Sequence, residues 1–108
     1  LYLCQKMTNM LFAERIKAAR DSLQLSQKEV AKAIGVDVPM YSRIERGQRP
    51  AKREAIPALS KLLGLDESEL LKLWLAEKVY NYVVDEEDAE SVLSIVAESI
   101  VEYKNKTK

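Results

Sequence analysis

Residues 26–47, SQKEVAKAIGVDVPMYSRIERG, decide how this chain folds. Ser26 and Glu29 stand at capping-box spacing, where each side chain satisfies a free backbone N–H at a helix start. Leu25 before the cap and Val30 inside it are placed to staple the entry. Val30, Ala31 and Ile34 then line one face until Gly35, which suits the left-handed position that ends a helix. Beyond the turn the pattern repeats: Val36 precedes an N-cap, Asp37, and Tyr41 falls where the staple partner belongs. Pro39 lies in the first turn, where a missing N–H costs little. Gly47 closes the second helix. The stretch therefore reads as two helices of about two turns each, joined by a tight glycine turn.

Outward from this stretch, the chain has 108 residues, 47% apolar and 31% charged, the composition of a small globular domain and not of a disordered one. No apolar run approaches the roughly 20 residues of a membrane span. The opening LYLCQKMTNM lacks the features of a signal peptide. Cys4 is the single cysteine, so neither an internal disulfide nor a multi-cysteine zinc site is expected, and a reducing cytoplasm is the natural compartment. The chain does not begin with Met, and Met7 or Met10 is read as a candidate start. Net charge is zero, but its distribution is uneven. Residues 1–60 hold eleven Lys and Arg against six Asp and Glu, a balance of +5, and residues 61–108 hold six against eleven, or −5. The basic half contains the two-helix stretch. From Asp85 to Glu102 there are seven acids and no base, so that segment should avoid polyanions.

The periodicity predicts six helices and no strands. Helix 1 covers about Met10 to Leu23, with Leu11, Phe12, Ile16, Ala19 and Leu23 facing a core. Helices 2 and 3 are expected at about Gln27–Ile34 and Val38–Arg46, followed by a basic loop broken by Gly47 and Pro50. Helix 4 covers about Arg53–Leu63, tolerating Pro57 only near its first turn, and stops at Gly64. Helix 5 starts on a cap, Asp66 with Glu69, stapled by Leu65 and Leu70, and runs to about Val84. Helix 6 covers about Asp88–Lys104. Apolar residues of the late helix 5 and of helix 6, among them Trp74, Leu75, Val79, Tyr82, Val92, Ile95, Ile100 and Val101, are too many for one face of a surface helix. They point to a homodimer interface, the alternative being a helix 6 that folds back to complete a monomer core.

These residues resemble the XRE-type, phage-repressor-like family of helix-turn-helix transcriptional regulators. The resemblance runs from about Phe12 to Leu65, half the chain. It is carried by Glu14-Arg15-Ile16 and Arg20, Leu25-Ser26-Gln27 and Ala31, Gly35-Val36, Ser42-Arg43-Ile44-Glu45-Arg46-Gly47, and Leu59, Leu62, Gly64 and Leu65. It implies an all-α fold: a five-helix repressor-like helix-turn-helix domain plus an additional C-terminal helix used in dimerisation. The expected boundaries are a DNA-binding domain over residues 10–66 and a C-terminal helical extension over 67–104. The implied activity is sequence-specific binding of double-stranded DNA by a homodimer on a palindromic operator, acting sterically on a promoter, with no cofactor or metal.

Carried onto this sequence, the family motif sends helix 3 into the major groove, with Val38, Pro39, Met40, Ser42 and Arg43 outward. Arg43 is the candidate for base readout, because a guanidinium pairs bidentately with guanine O6 and N7. Val38, Pro39 and Met40 carry no hydrogen-bonding side chain where many relatives have polar groups, which leaves thymine methyls or DNA shape for them to read. Ser42 is assigned a phosphate. Gln27 sits at a helix N-terminus suited to a phosphate, with Lys28 a weaker candidate. Arg46, Gln48, Arg49, Lys52 and Arg53 form a loop resembling the one that follows the DNA backbone in related repressors. Arg20 and Glu45 look like the family's internal ion pair, a structural role. Tyr41 and Ile44 are read as core.

An enzyme has little support here: there is no His, one Cys, and no glycine-rich phosphate loop. Small size also resembles restriction–modification controllers, prophage repressors and XRE-type antitoxins. The rival reading is a protein-interaction module, such as an antitoxin whose C-terminal helices bind a partner protein.

Overall fold

The computed structural model describes residues 11–106. Within them lie six α-helices: α1 Phe12–Ser22, α2 Gln27–Ala33, α3 Val38–Glu45, α4 Ile56–Leu63, α5 Glu67–Val83 and α6 Ala89–Lys106. No strand occurs among the described residues, so the all-α reading holds. Cys4, Met7 and Met10 lie outside them. The chain divides into two compact units after Lys78, inside α5.

The first unit is built on a core of Phe12, Ile16 and Ala19 from α1, Val30 and Ala31 from α2, Tyr41 and Ile44 from α3, Ile56, Leu59 and Leu63 from α4, and Leu70 from α5. These are the positions that helical spacing assigns to the inner faces. Leu23 is the exception. The spacing places it toward the core, but α1 ends at Ser22 and Leu23, as the C-cap, is exposed.

Local chemistry sets the helix boundaries. Ser26 Oγ accepts from Glu29 N–H at 3.1 Å and Glu29 Oε1 from Ser26 N–H at 3.0 Å, completing the capping box. Asp37 accepts from Met40 N–H at 2.8 Å, and Asp66 from Glu69 N–H at 3.0 Å. The staple partners Val30, Tyr41 and Leu70 are all buried.

Four helix ends share one closing bond, from the N–H five residues on to an orphan carbonyl: Leu25 to Arg20, Val36 to Ala31, Gln48 to Arg43 and Leu65 to Ser60. This bond needs one residue with positive φ. Gly35, Gly47 and Gly64 supply it at +73°, +74° and +68°, and Gln24 does so at +58° without being glycine.

Helix 4 departs from expectation at its start. Arg53–Ala55 form a 3₁₀ turn and the α-helix begins only at Ile56. Pro57 has no N–H to give an earlier ladder, so the α geometry starts where that donor is not needed.

A tertiary contact replaces one cap that the sequence lacks. No side chain caps α1 at Leu11; instead Glu77 of α5 accepts from Ala13 N–H at 3.1 Å. A carboxylate there also sits favourably at the positive end of the helix dipole.

The second unit, taken by itself, holds the end of α5 and the whole of α6. No residue of α6 is buried, and Tyr82 at 88% and Ile95 at 66% are among its exposed large apolar side chains.

Candidate nucleic-acid interface

The outward face of α3 is fixed by what its inward face touches. Tyr41, Ile44 and Glu45 are buried, at the i, i+3, i+4 spacing of one helix face. Burying large side chains such as Tyr41 and Ile44 is worth about 1.5–3 kcal/mol each. The helix cannot roll without exposing them, so Val38, Pro39 and Arg43 must face solvent, as they do.

Glu45 locks the end of the helix to α1. Its side chain is 2% exposed, and Arg20 Nε donates to Oε2 at 2.5 Å while Arg20 Nη2 donates to Oε1 at 3.1 Å. Arg20 Nη1 also donates to the Leu25 carbonyl at 2.9 Å, which ties the α1–α2 turn into the same group. Burial alone would raise the Glu45 carboxyl. The hydrogen bonds from the Arg20 guanidinium and the Gln27 amide outweigh it and hold the group below the usual carboxylate range. The hydrogen bond to Glu45 likewise raises Arg20, against the opposing effect of its own burial. The Tyr41 hydroxyl is buried beside this pair with no hydrogen-bond partner among the described residues. Burial first, and the Glu45 carboxylate second, push its pKa far above the ordinary phenol value.

Besides the exposed Val38 and Pro39, the sequence-derived contact residues fall into three groups. Arg43, Arg49, Lys52, Arg53 and Lys28 are exposed, and none makes a side-chain hydrogen bond or ion pair among the described residues. Ser42, Arg46 and Gln48 are joined: Arg46 Nη1 donates to Ser42 Oγ at 2.6 Å, and Arg46 Nη2 to Gln48 Oε1 at 3.4 Å. The third group looks partly inward. Met40 packs against the core, and Gln27 spends its amide on Glu45 Oε1 at 3.0 Å. The Gln27 backbone N–H still lies in the first turn of α2.

One feature of the surface escaped the sequence. Trp74, grouped there with the apolar residues of the late helix 5, is half-buried, and its indole N–H donates to the Ala51 carbonyl at 2.8 Å. Lys78 stands over the indole with Nζ 4.5 Å from the ring centroid. The i, i+4 spacing of Trp74 and Lys78 was the available signal.

Comparison with known proteins agrees with this geometry. The Helix-turn-helix family pattern matches residues 16–70, just over half the chain. The chain belongs to the helix-turn-helix family, XRE type. It is a DNA-binding transcriptional regulator and not an enzyme. The chain is similar to two further proteins. One is an uncharacterized HTH-type transcriptional regulator, YqaE, of Bacillus subtilis (strain 168), 29% identical over 84 residues, covering 78% of this chain and 68% of that protein. The other is repressor protein C2 of Salmonella phage P22, 36% identical over 66 residues, covering 61% of this chain. The chain spans 31% of the phage repressor's length. No described helix is long and apolar enough to cross a membrane.

Proposed function

We propose that this chain is a repressor that binds a roughly palindromic operator as a homodimer, with α3 in the major groove of each half-site. The observation that carries this reading is Arg43: exposed, without a partner, and on a helix whose opposite face is locked by Tyr41, Ile44 and the Arg20–Glu45 pair. Val38 and Pro39 beside it add apolar contact. The Ser42–Arg46–Gln48 group and the cations Arg49, Lys52 and Arg53 take the phosphates flanking the groove. Gln27 meets a phosphate through its backbone N–H at the α2 N-terminus, since its amide serves Glu45. Lys28 adds charge alongside. Dimerisation rests on the exposed apolar residues of α6 and of the end of α5, whose acidic surroundings keep them off the DNA. Repression is steric occupation of a promoter, within the cytoplasm.

Selection of bound sites from random duplexes tests the proposal. An inverted repeat with half-sites about one helical turn apart is expected. Arg43→Ala should relax preference at one base pair per half-site, by about 1–3 kcal/mol, with the fold intact. Alanine at Arg49 or Lys52 should weaken all sequences alike and lower the salt slope by about one. Recovery of no consensus sequence overturns specific recognition. A sedimentation profile that stays monomeric at operator-saturating concentration overturns the dimer and favours a partner protein on α6.

A further inference from the structure

An open groove of about 780 Å³ lies in the first unit, beside α3 and distinct from its outward face. Its apolar lining comes from Ile34, Val36, Met40, Ile44, Ala58 and Trp74. Its charged lining is Arg49, Lys52, Arg53 and Lys78 against a single carboxylate, Glu54. None of those five is ion-paired among the described residues. Trp74 is a fixed wall, anchored through its indole N–H to Ala51 and faced by Lys78. DNA binding accounts for the loop cations but not for an apolar hollow behind them.

Volume, lining and charge together describe a small-molecule site. Such sites enclose about 300–1,000 Å³ and are mostly apolar, with a few polar groups fixing orientation. Four cations around one acid select an anion, and the apolar floor selects a hydrocarbon body.

We propose that this groove binds an amphipathic organic anion, an acyl or aryl carboxylate, and that its occupancy opposes DNA binding. The second part rests on the DNA interface proposed above; the first does not. Coupling follows from shared residues. A carboxylate held by Arg49, Lys52 and Arg53 neutralises the cations that would meet phosphates, and its hydrocarbon body presses on Met40 and Ile44 of α3.

Trp74 is the chain's only tryptophan, so its emission reports the groove. The full chain is titrated with decanoate and, in parallel, with the neutral isostere decanamide. Decanoate should change Trp74 emission saturably at one molecule per chain and bind more tightly than decanamide. Ala33→Phe, at an exposed position lining the groove, should abolish the response while leaving the thermal melt unchanged. Lys78→Glu should weaken decanoate about tenfold by reversing a rim charge. Lack of a saturable response, equal affinity for acid and amide, or indifference to both substitutions overturns the site. At fixed salt, decanoate should lower the DNA affinity of the wild-type chain and not that of Ala33→Phe. Decanoate binding with unchanged DNA affinity overturns the coupling, whereas failure to bind DNA without decanoate condemns the interface and not the groove.

Discussion

Helices α3 and α6 carry similar shares of apolar residues but put them to opposite uses. In α3 two of the apolar residues and one acid are buried, each with specified neighbours: Tyr41 and Ile44 in the core, Glu45 on Arg20. In α6, 18 residues long, nothing is buried. A helix of eight residues is far too short to stand alone; α3 owes its existence to its caps and to the core behind it. A helix of about five turns passes the length below which an isolated helix is marginal, and the large apolar residues of α6 stay exposed. The lesson is that hydrophobic pattern marks a surface for burial without saying where the burial occurs.

Breaking the buried ion pair should show the largest difference between the two regions. Glu45→Ala strands the Arg20 guanidinium and frees the Gln27 amide, and should cost about 3–5 kcal/mol in denaturant unfolding. Ile95→Ser on α6 should leave the unfolding free energy of the monomer within about 0.5 kcal/mol and act on self-association, read by sedimentation. An Ile95→Ser variant as unstable as Glu45→Ala would mean that α6 belongs to a folded core.

Acid sharpens the same contrast. The Glu45 carboxyl is held below its ordinary value, so the unfolded chain binds the proton more tightly. Its contribution to stability is therefore complete above the unfolded value of about 4.3 and is lost as pH falls through the lower, folded value. Glu45→Gln should flatten the fall in stability over that window, as measured by urea titrations at successive pH values.

Smaller effects come from the junctions of the first unit. Glu77→Ala removes the cap that α5 gives to α1 and should cost about 1 kcal/mol by thermal unfolding, a loss of capping size. Tyr41→Phe deletes a buried hydroxyl with no partner, and should stabilise by up to about 1 kcal/mol instead of destabilising. A loss on Tyr41→Phe would show that the hydroxyl supports Glu45 in solution.

Much of the first unit was legible because its signals are local. Ser26 with Glu29, Asp37 with Met40, and the glycines at 35, 47 and 64 act within a single turn of chain, and each appears where its spacing put it. Arg20 with Glu45 is a long-range pair, legible only through the family resemblance. Leu23 was misplaced because periodicity does not register where a helix stops. The 3₁₀ turn at Arg53–Ala55 was missed for a related reason: Pro57 dictates which N–H is absent, not what geometry precedes it.

By itself, then, the sequence determined the helices, their caps and the face that α3 turns outward, because these follow from bonds and side-chain periods spanning at most a few residues. Tertiary structure alone decided that Glu77 caps α1, that Gln27 serves Glu45, and that Trp74, Lys78 and the basic loop enclose a groove. Each of those brings together groups separated by 18 residues or more, and no local spacing encodes a meeting that only the packing of the core creates.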